Sequence, residues 1–391
     1  MVIASTGTGS GVRVDPSGRV RAILLGDVID QSGSYNSFTV IGYDPAIEVT
    51  LIPSVPQFVG GYDNAQRNLR VYMPRTYELL VNGYQELIFS DADPLVFKAE
   101  WIHWLSNSVT DDGLGMLWLG SITAESNLAG WDDTTVADIL PATQPFGDHT
   151  IISAFFMKIL DENEVLMQAL PWEKAPALMN VNAQVPKEGC EYWAKIISTT
   201  GEYPLMTYWG IGSGAVLNFA SKFPMGVRVW ASDWQLFPQA MIYMAYRVAD
   251  KPLPDDPLVF IALINGFIEF IEANSLIESM LAWVENFGGN TRRLHDQLAA
   301  LDEKRQEAEA AYLEGGFDDA RDIIMELKAE QSELRAQAGD AKDDALFWVY
   351  VTEWFALTGV FLVSSYILLM LMVRRKLYRD VKVSRLESRA E

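Results

Sequence analysis

The stretch WFALTGVFLVSSYILLMLMV, Trp354 to Val373, runs 20 residues without a charge. A helix of that length rises roughly 30 Å, the thickness of a bilayer's hydrocarbon core. Trp348, Tyr350 and Trp354 crowd one end, where amphipathic rings favour the headgroup region, and Arg374, Arg375 and Lys376 close the other. Few soluble helices are apolar all round over such a length. The pattern predicts one transmembrane helix with a lipid bilayer as partner. Basic flanks stay cytoplasmic, so it also predicts a single-pass protein of the cell membrane, with an extracytoplasmic body and a cytoplasmic tail. An outside body needs an export signal, and MVIASTGTGS has neither a basic start nor a long apolar stretch. That expectation therefore carries with it a cleaved signal or an internal start. A second apolar run, Pro257 to Ile268, is too short to span and is followed by Glu269, Glu272 and Glu278. It reads as a buried or interfacial helix.

Charge separates the two sides of the apolar segment. The chain has 30 Lys plus Arg against 52 Asp plus Glu, a net charge of −22. Residues 374–391 hold seven basic and three acidic residues, a net of +4, which leaves −26 on residues 1–373. A body so acidic excludes nucleic acid as its partner, because phosphate binding requires clustered Lys and Arg. Cys190 is the one cysteine among 391 residues, so an intrachain disulfide and a cysteine-metal cluster are both excluded. GIGSG, Gly210 to Gly214, lacks the Lys and the clear following helix of a phosphate loop and reads as a hairpin turn. No cofactor and no metal is expected.

Residues 1–19 are rich in Gly and Ser and read as a flexible lead. VRAILLGD, IEVTLIPS, ELIFSDAD and GLGMLWLGS are short apolar runs, and a helical spacing of apolar residues separates the last two. Strands alternating with helices predict βαβ units and a parallel sheet buried on both faces. The α/β body is assigned to residues 20–250 and connecting helices to 251–287. Residues 288–345 carry two heptad-like stripes around Gly315-Gly316, including Leu327 and Leu334, and predict an antiparallel helical hairpin. The membrane helix takes 346–373 and the basic tail 374–391. The stripes are interrupted at Arg305 and Gln331, so the hairpin is expected to pack on the α/β body, on a copy of itself or on another subunit. Leu327, Leu334 and the small residue Gly359 of the membrane helix are the candidate assembly positions.

The order of YQELIFSDAD, GLGMLWLGS, WDDTTVADILPAT, LMQALPWEKAPALMNVN and YPLMTYWGIGSGAVLNFASKF resembles the class I glutamine amidotransferase-like superfamily. The resemblance covers roughly residues 20–250 and implies a flavodoxin-like three-layer α/β fold. Active members carry a nucleophilic Cys on a tight G-x-C-x-G turn after a central strand, completed by a His and an acid. Here Ser121 matches the Cys position, Thr123 replaces the second Gly, and ASKFPMGV holds no His. The resemblance therefore implies a catalytically degenerate relative.

A serine hydroxyl needs a neighbouring base to attack at neutral pH, and no motif places His103 or His149 beside Ser121. Asp27, Asp91 and Asp93 fall at strand ends, where open α/β sheets build ligand sites. They are candidate ligand contacts, with solvated loop acids as the plain alternative. The leading expectation is a non-enzymatic, membrane-anchored scaffold or accessory subunit that works with other protein subunits. The rivals are a hydrolase or amidotransferase with Ser121 as nucleophile, and a small-ligand sensor.

Overall fold

The computed structural model describes residues 18–27, 41–42, 44–120, 128–144, 150–151, 156–176, 181–199, 201–222, 234, 236–254 and 256–387. Its first half interleaves strands and helices: β1 (Val20–Gly26), β2 (Ile47–Pro53), α1 (Pro56–Val59), α2 (Tyr62–Tyr72), α3 (Tyr77–Gly83), β3 (Glu86–Ser90), α4 (Ala99–Thr110), β4 (Gly115–Gly120) and α5 (Thr135–Ile139). There follow β5 (Ala142–Thr143), β6 (Thr150–Ile151), β7 (Phe156–Ile159), α6 (Val165–Ala169), β8 (Val181–Asn182), β9 (Val185–Pro186), β10 (Glu191–Ser198), β11 (Gly201–Ile211) and β12 (Gly214–Lys222). Helices close the chain: α7 (Phe237–Val248), α8 (Pro257–Asn286), α9 (Arg292–Leu313) and α10 (Phe317–Glu387). Two compact units result, one of residues 1–268 with 306–324 and one of residues 269–305 with 325–391.

The first unit is a mixed α/β structure around one large sheet in the order β2-β1-β3-β4-β12-β11-β10-β7, with β8 pairing β12 and β6 pairing β8. The five strands from β2 to β12 run parallel, and β12 to β7 run antiparallel. Every residue of β3 and β4 is buried, which accounts for their unbroken apolar runs. One face of the sheet, with Leu87, Phe89, Met116, Trp118 and Val216, packs against Leu69, Leu80, Trp101, Leu105 and Val136 of α2 to α5. The opposite face takes α7. There Gly115 lies so close that a Cβ would come within 2.3 Å of the Val248 carbonyl oxygen. GIGSG is the turn of the β11–β12 hairpin, and Gly212 has φ +60, which favours glycine.

In the second unit α8 and α10 run parallel, with Glu269 paired to Lys328 and the Lys342 ammonium over the Trp283 ring. Gln331 Nε2 donates to the Phe270 carbonyl at 2.8 Å and to Asn274 Oδ1 at 2.5 Å. Helices α9 and α10 run antiparallel, with Lys304 on Glu326 and Glu330 and Arg293 on Gln337. Leu327 is 0% and Leu334 3% exposed. This corrects their assignment as assembly positions: both are buried by the chain's own helices. Gln331, an interruption of the heptad stripe, serves as an interhelical hydrogen-bond donor.

Among the described side chains of α10 the last buried one is Ala345, and from Thr352 to Tyr378 every side chain is exposed. The helix does not stop at the expected stalk boundary. It is one element of 71 residues, about 106 Å long, carrying Trp354, Gly359 and Arg374 to Lys376 on an unpartnered extension. Among the described residues two helices, rather than one, are long and apolar enough to cross a bilayer: Leu258–Asn286 and Phe317–Tyr378. The first has a buried face. Its Phe260 packs ring to ring with Tyr243, Tyr246 and Tyr312, as a core helix does.

Candidate functional site

Three parallel strands end together. The Asp27 amide donates to the Ser90 carbonyl at 2.7 Å, and the Ser54 amide to the Gly26 carbonyl at 3.1 Å. These bonds tie the carboxyl ends of β1, β2 and β3 into one edge. Only glycine fits at position 26, since its φ is +127 and a Cβ would sit 1.7 Å from the Ser90 carbonyl oxygen. Asp27, Ser54, Ser90, Asp91 and Asp93 are all buried along this edge. Asp91 has φ +59, a left-handed conformation uncommon outside glycine, so the strand turns sharply at its carboxyl end.

The three aspartates named from the sequence differ in their surroundings. Asp93 Oδ1 accepts from the Leu95 amide at 2.9 Å, capping a short 3-10 turn, and Oδ2 accepts from the Tyr62 hydroxyl at 2.8 Å. Both oxygens already hold structural bonds, so Asp93 acts as a brace. Trp131 Nε1 donates to the Ala92 carbonyl at 3.0 Å and pins the same loop. Its ring stands edge-on to Phe89 and Trp118, which stack on each other at 5.1 Å. Asp27 and Asp91 are the other two buried carboxyls of the edge, and each has interactions of its own. The hydroxyls of Ser54 and Ser90 are buried beside them without a hydrogen-bond partner among the described residues. The edge offers two unpartnered hydroxyl groups next to buried carboxyls, a chemistry suited to a small polar ligand. Among the described residues no group of three or more His, Cys, Asp or Glu could hold a metal ion.

No catalytic constellation assembles among the described residues. Ser121 and His149 lie outside them, and His103 is exposed on α4. Burial pushes the Cys190 thiol up from its ordinary value, the opposite of what activates a nucleophilic thiol. In the second unit a cleft of about 420 Å³ lies between α8 and α10, with Glu269 and Glu272 on one wall and Lys328 and Arg335 on the other. The Glu269–Lys328 pair neutralises part of each wall, so the cleft has no net preference for one sign of charge.

Elsewhere in the first unit two buried carboxyls escaped sequence reasoning. Asp44 accepts from the Tyr246 hydroxyl at 2.5 Å and from the Ala46 amide at 2.7 Å, and Tyr312 bonds Tyr246 at 2.9 Å. Burial raises the Asp44 pKa above its ordinary value despite these donors. Glu86 opens the central strand β3 fully buried, with neither oxygen partnered among the described residues, and burial raises its pKa strongly. Ser54 was visible at the end of an apolar run. Tyr62, Trp131 and Tyr246 reach partners 31, 39 and 202 residues away and leave no local signal.

No protein-family model matches the chain, and no curated protein matches it. Several solved structures resemble part of the chain. Cytoplasmic protein STM1381 from Salmonella typhimurium LT2 is 17% identical with a TM-score of 0.47, covering 58% of this chain and 99% of its own. Cytoplasmic protein STM3548 from Salmonella typhimurium is 12% identical with a TM-score of 0.46, covering 58% and 98%. The exo-β-1,4-mannosidase Op5Man5 from Opitutaceae bacterium strain TAV5 is 10% identical with a TM-score of 0.33, covering 59% of this chain and 36% of its own. None of these three is described as a glutamine amidotransferase, and likeness at this level carries no argument about activity. The expected localisation is corrected here. In place of the single crossing, two helices among the described residues are long and apolar enough to cross a bilayer, and the two Salmonella proteins are described as cytoplasmic.

Proposed function

We propose that the chain is a non-enzymatic scaffold or accessory subunit, anchored in a bilayer by α10 and carrying a catalytically degenerate glutamine amidotransferase-like body. The observation that carries the reading is the exposed apolar surface of α10 from Trp354 to Val373, continuous with a packed helical unit. Water does not tolerate a 20-residue apolar rod with no cover. The parallel strand order β2-β1-β3-β4-β12 supports a flavodoxin-like arrangement, since doubly wound sheets of that class share it. Structural use of Asp93 and the raised thiol pKa of Cys190 favour a body that binds over one that catalyses.

Membrane fractionation tests the reading. The full chain resists extraction by alkaline carbonate, while a chain ending at Asp344 is released. Release of both by carbonate would remove the anchor and with it the proposal. A second reading, a small-ligand sensor, is favoured by the buried hydroxyls of Ser54 and Ser90 beside Asp27 and Asp91. It requires that a small hydroxylated or amine ligand raise the melting temperature of the full chain and that Asp27→Asn abolish the rise.

A further inference from the structure

We infer that the basic end of α10 is a docking surface for anionic phospholipid headgroups in the leaflet it meets, which makes the anchor selective for lipid charge. The inference rests on the bilayer reading of Trp354–Val373 and adds the chemistry of the lipid. Arg374, Arg375 and Lys376 are exposed on a helix that continues without a break to Glu387. With Trp354 at one headgroup level, Arg374 lies roughly 30 Å further along the axis, at the opposite headgroup level. Arg379 and Lys382 follow in the sequence at about 7.5 and 12 Å beyond Arg374, close to the Debye length at physiological ionic strength. Arg374, Arg375 and Lys376 thus fall in the layer where an anionic surface potential acts, and the sequence adds two further basic residues within the next two turns, with Asp380 as the one acid between Arg374 and Lys382.

The acidic remainder of the chain strengthens the argument. Residues 1–373 carry a net −26, and all of that charge precedes the apolar segment. An anionic leaflet on that side repels the body, and the same lipid on the other side attracts the cations. A basic cluster that begins where a membrane-length apolar segment ends meets headgroups first, which favours lipid over any soluble polyanion. Each cation near an anionic surface contributes about fivefold to the preference, so even two or three engaged residues give a large enrichment.

The test uses the full chain in a mild detergent, equilibrated with mixed micelles of equal phosphatidylcholine and phosphatidylglycerol. The protein is re-isolated and its retained lipids are quantified by mass spectrometry. Phosphatidylglycerol is enriched at least fivefold on the wild-type chain, and the enrichment falls as salt is raised. It disappears in the combined variant Arg374→Gln, Arg375→Gln, Lys376→Gln, Arg379→Gln, Lys382→Gln. It persists in Arg374→Lys, Arg375→Lys, Arg379→Lys, which keeps the charge and controls for folding. Equal retention of the two lipids by the wild type, or enrichment unchanged in the glutamine variant, overturns the inference. Flotation separates this failure from failure of the anchor. A chain that floats with phosphatidylcholine vesicles but shows no lipid preference loses only the headgroup inference. A chain that floats with vesicles of neither lipid loses the bilayer reading as well.

Discussion

Tyr246 donates its hydroxyl to the buried carboxylate of Asp44 at 2.5 Å, joining α7 to the turn before β2 across 202 residues of sequence. Tyr312 of α9 bonds the same hydroxyl, so three distant segments of the first unit meet at one polar point. Tyr246→Phe removes a donor while leaving the carboxyl buried, and an unsatisfied buried acceptor costs about 1–3 kcal/mol. Chemical denaturation of the full chain in detergent measures the loss. In a double-mutant cycle with Asp44→Asn the two effects are expected to be coupled, and strictly additive losses would show that the bond contributes nothing.

Glu86 supplies a pH dependence. Burial holds its folded pKa well above the ordinary 4.5, with no opposing donor. A raised carboxyl pKa means that the folded chain binds the proton more tightly than the unfolded chain. Its contribution to stability is therefore complete below about pH 4.5 and is lost as pH rises through the folded pKa. Glu86→Gln keeps the shape and cannot ionise. The stability of this variant relative to wild type should grow as pH is raised, read by thermal melts across the range. Parallel pH curves for the two proteins would show that Glu86 does not titrate in this way.

Leu327 and Leu334 test the helical unit. Both are buried by neighbouring helices of the same chain, so Leu327→Ala or Leu334→Ala costs about 2–5 kcal/mol of that unit's stability. Hydrogen exchange should accelerate over residues 292–305 and 325–345. A change in oligomeric state with unchanged exchange would return these leucines to the role of subunit contacts.

The parts of the fold that were readable were those encoded in adjacent residues. The unbroken apolar runs of β1, β3 and β4 mark strands buried on both faces, and Gly315, with φ +83, sits in the turn between α9 and α10. The continuity of α10 was not readable, because composition changes sharply near 346 while backbone hydrogen bonding does not. Nothing between Phe317 and Glu387 breaks a helix: there is no proline, and Gly339 and Gly359 are tolerated singly. At the sheet edge, Asp27, Asp91 and Asp93 were legible as strand-end acids. Their different roles depend on Tyr62 and Trp131, whose positions follow from tertiary packing alone.

Chemistry at the body has a direct assay. Purified full chain should release no ammonia from glutamine, and Ser121→Ala should leave that baseline unchanged. Glutamine hydrolysis lost in Ser121→Ala would reverse the reading of the body as catalytically degenerate.

The bilayer reading places α10 between Trp354 and Val373 in the hydrocarbon core. Cysteine scanning of the reconstituted full chain tests it most directly, on a Cys190→Ser background that removes the one native thiol. Single cysteines are placed from Asp344 to Tyr378 and exposed to a charged maleimide after the vesicles are permeabilised. Efficient labelling is expected at Asp344 and Tyr378, with a protected window of about 20 residues between them, centred near Ser364. Uniform labelling along the whole helix, or protection repeating every three to four residues as on a water-exposed helix packed against protein, would contradict the bilayer reading.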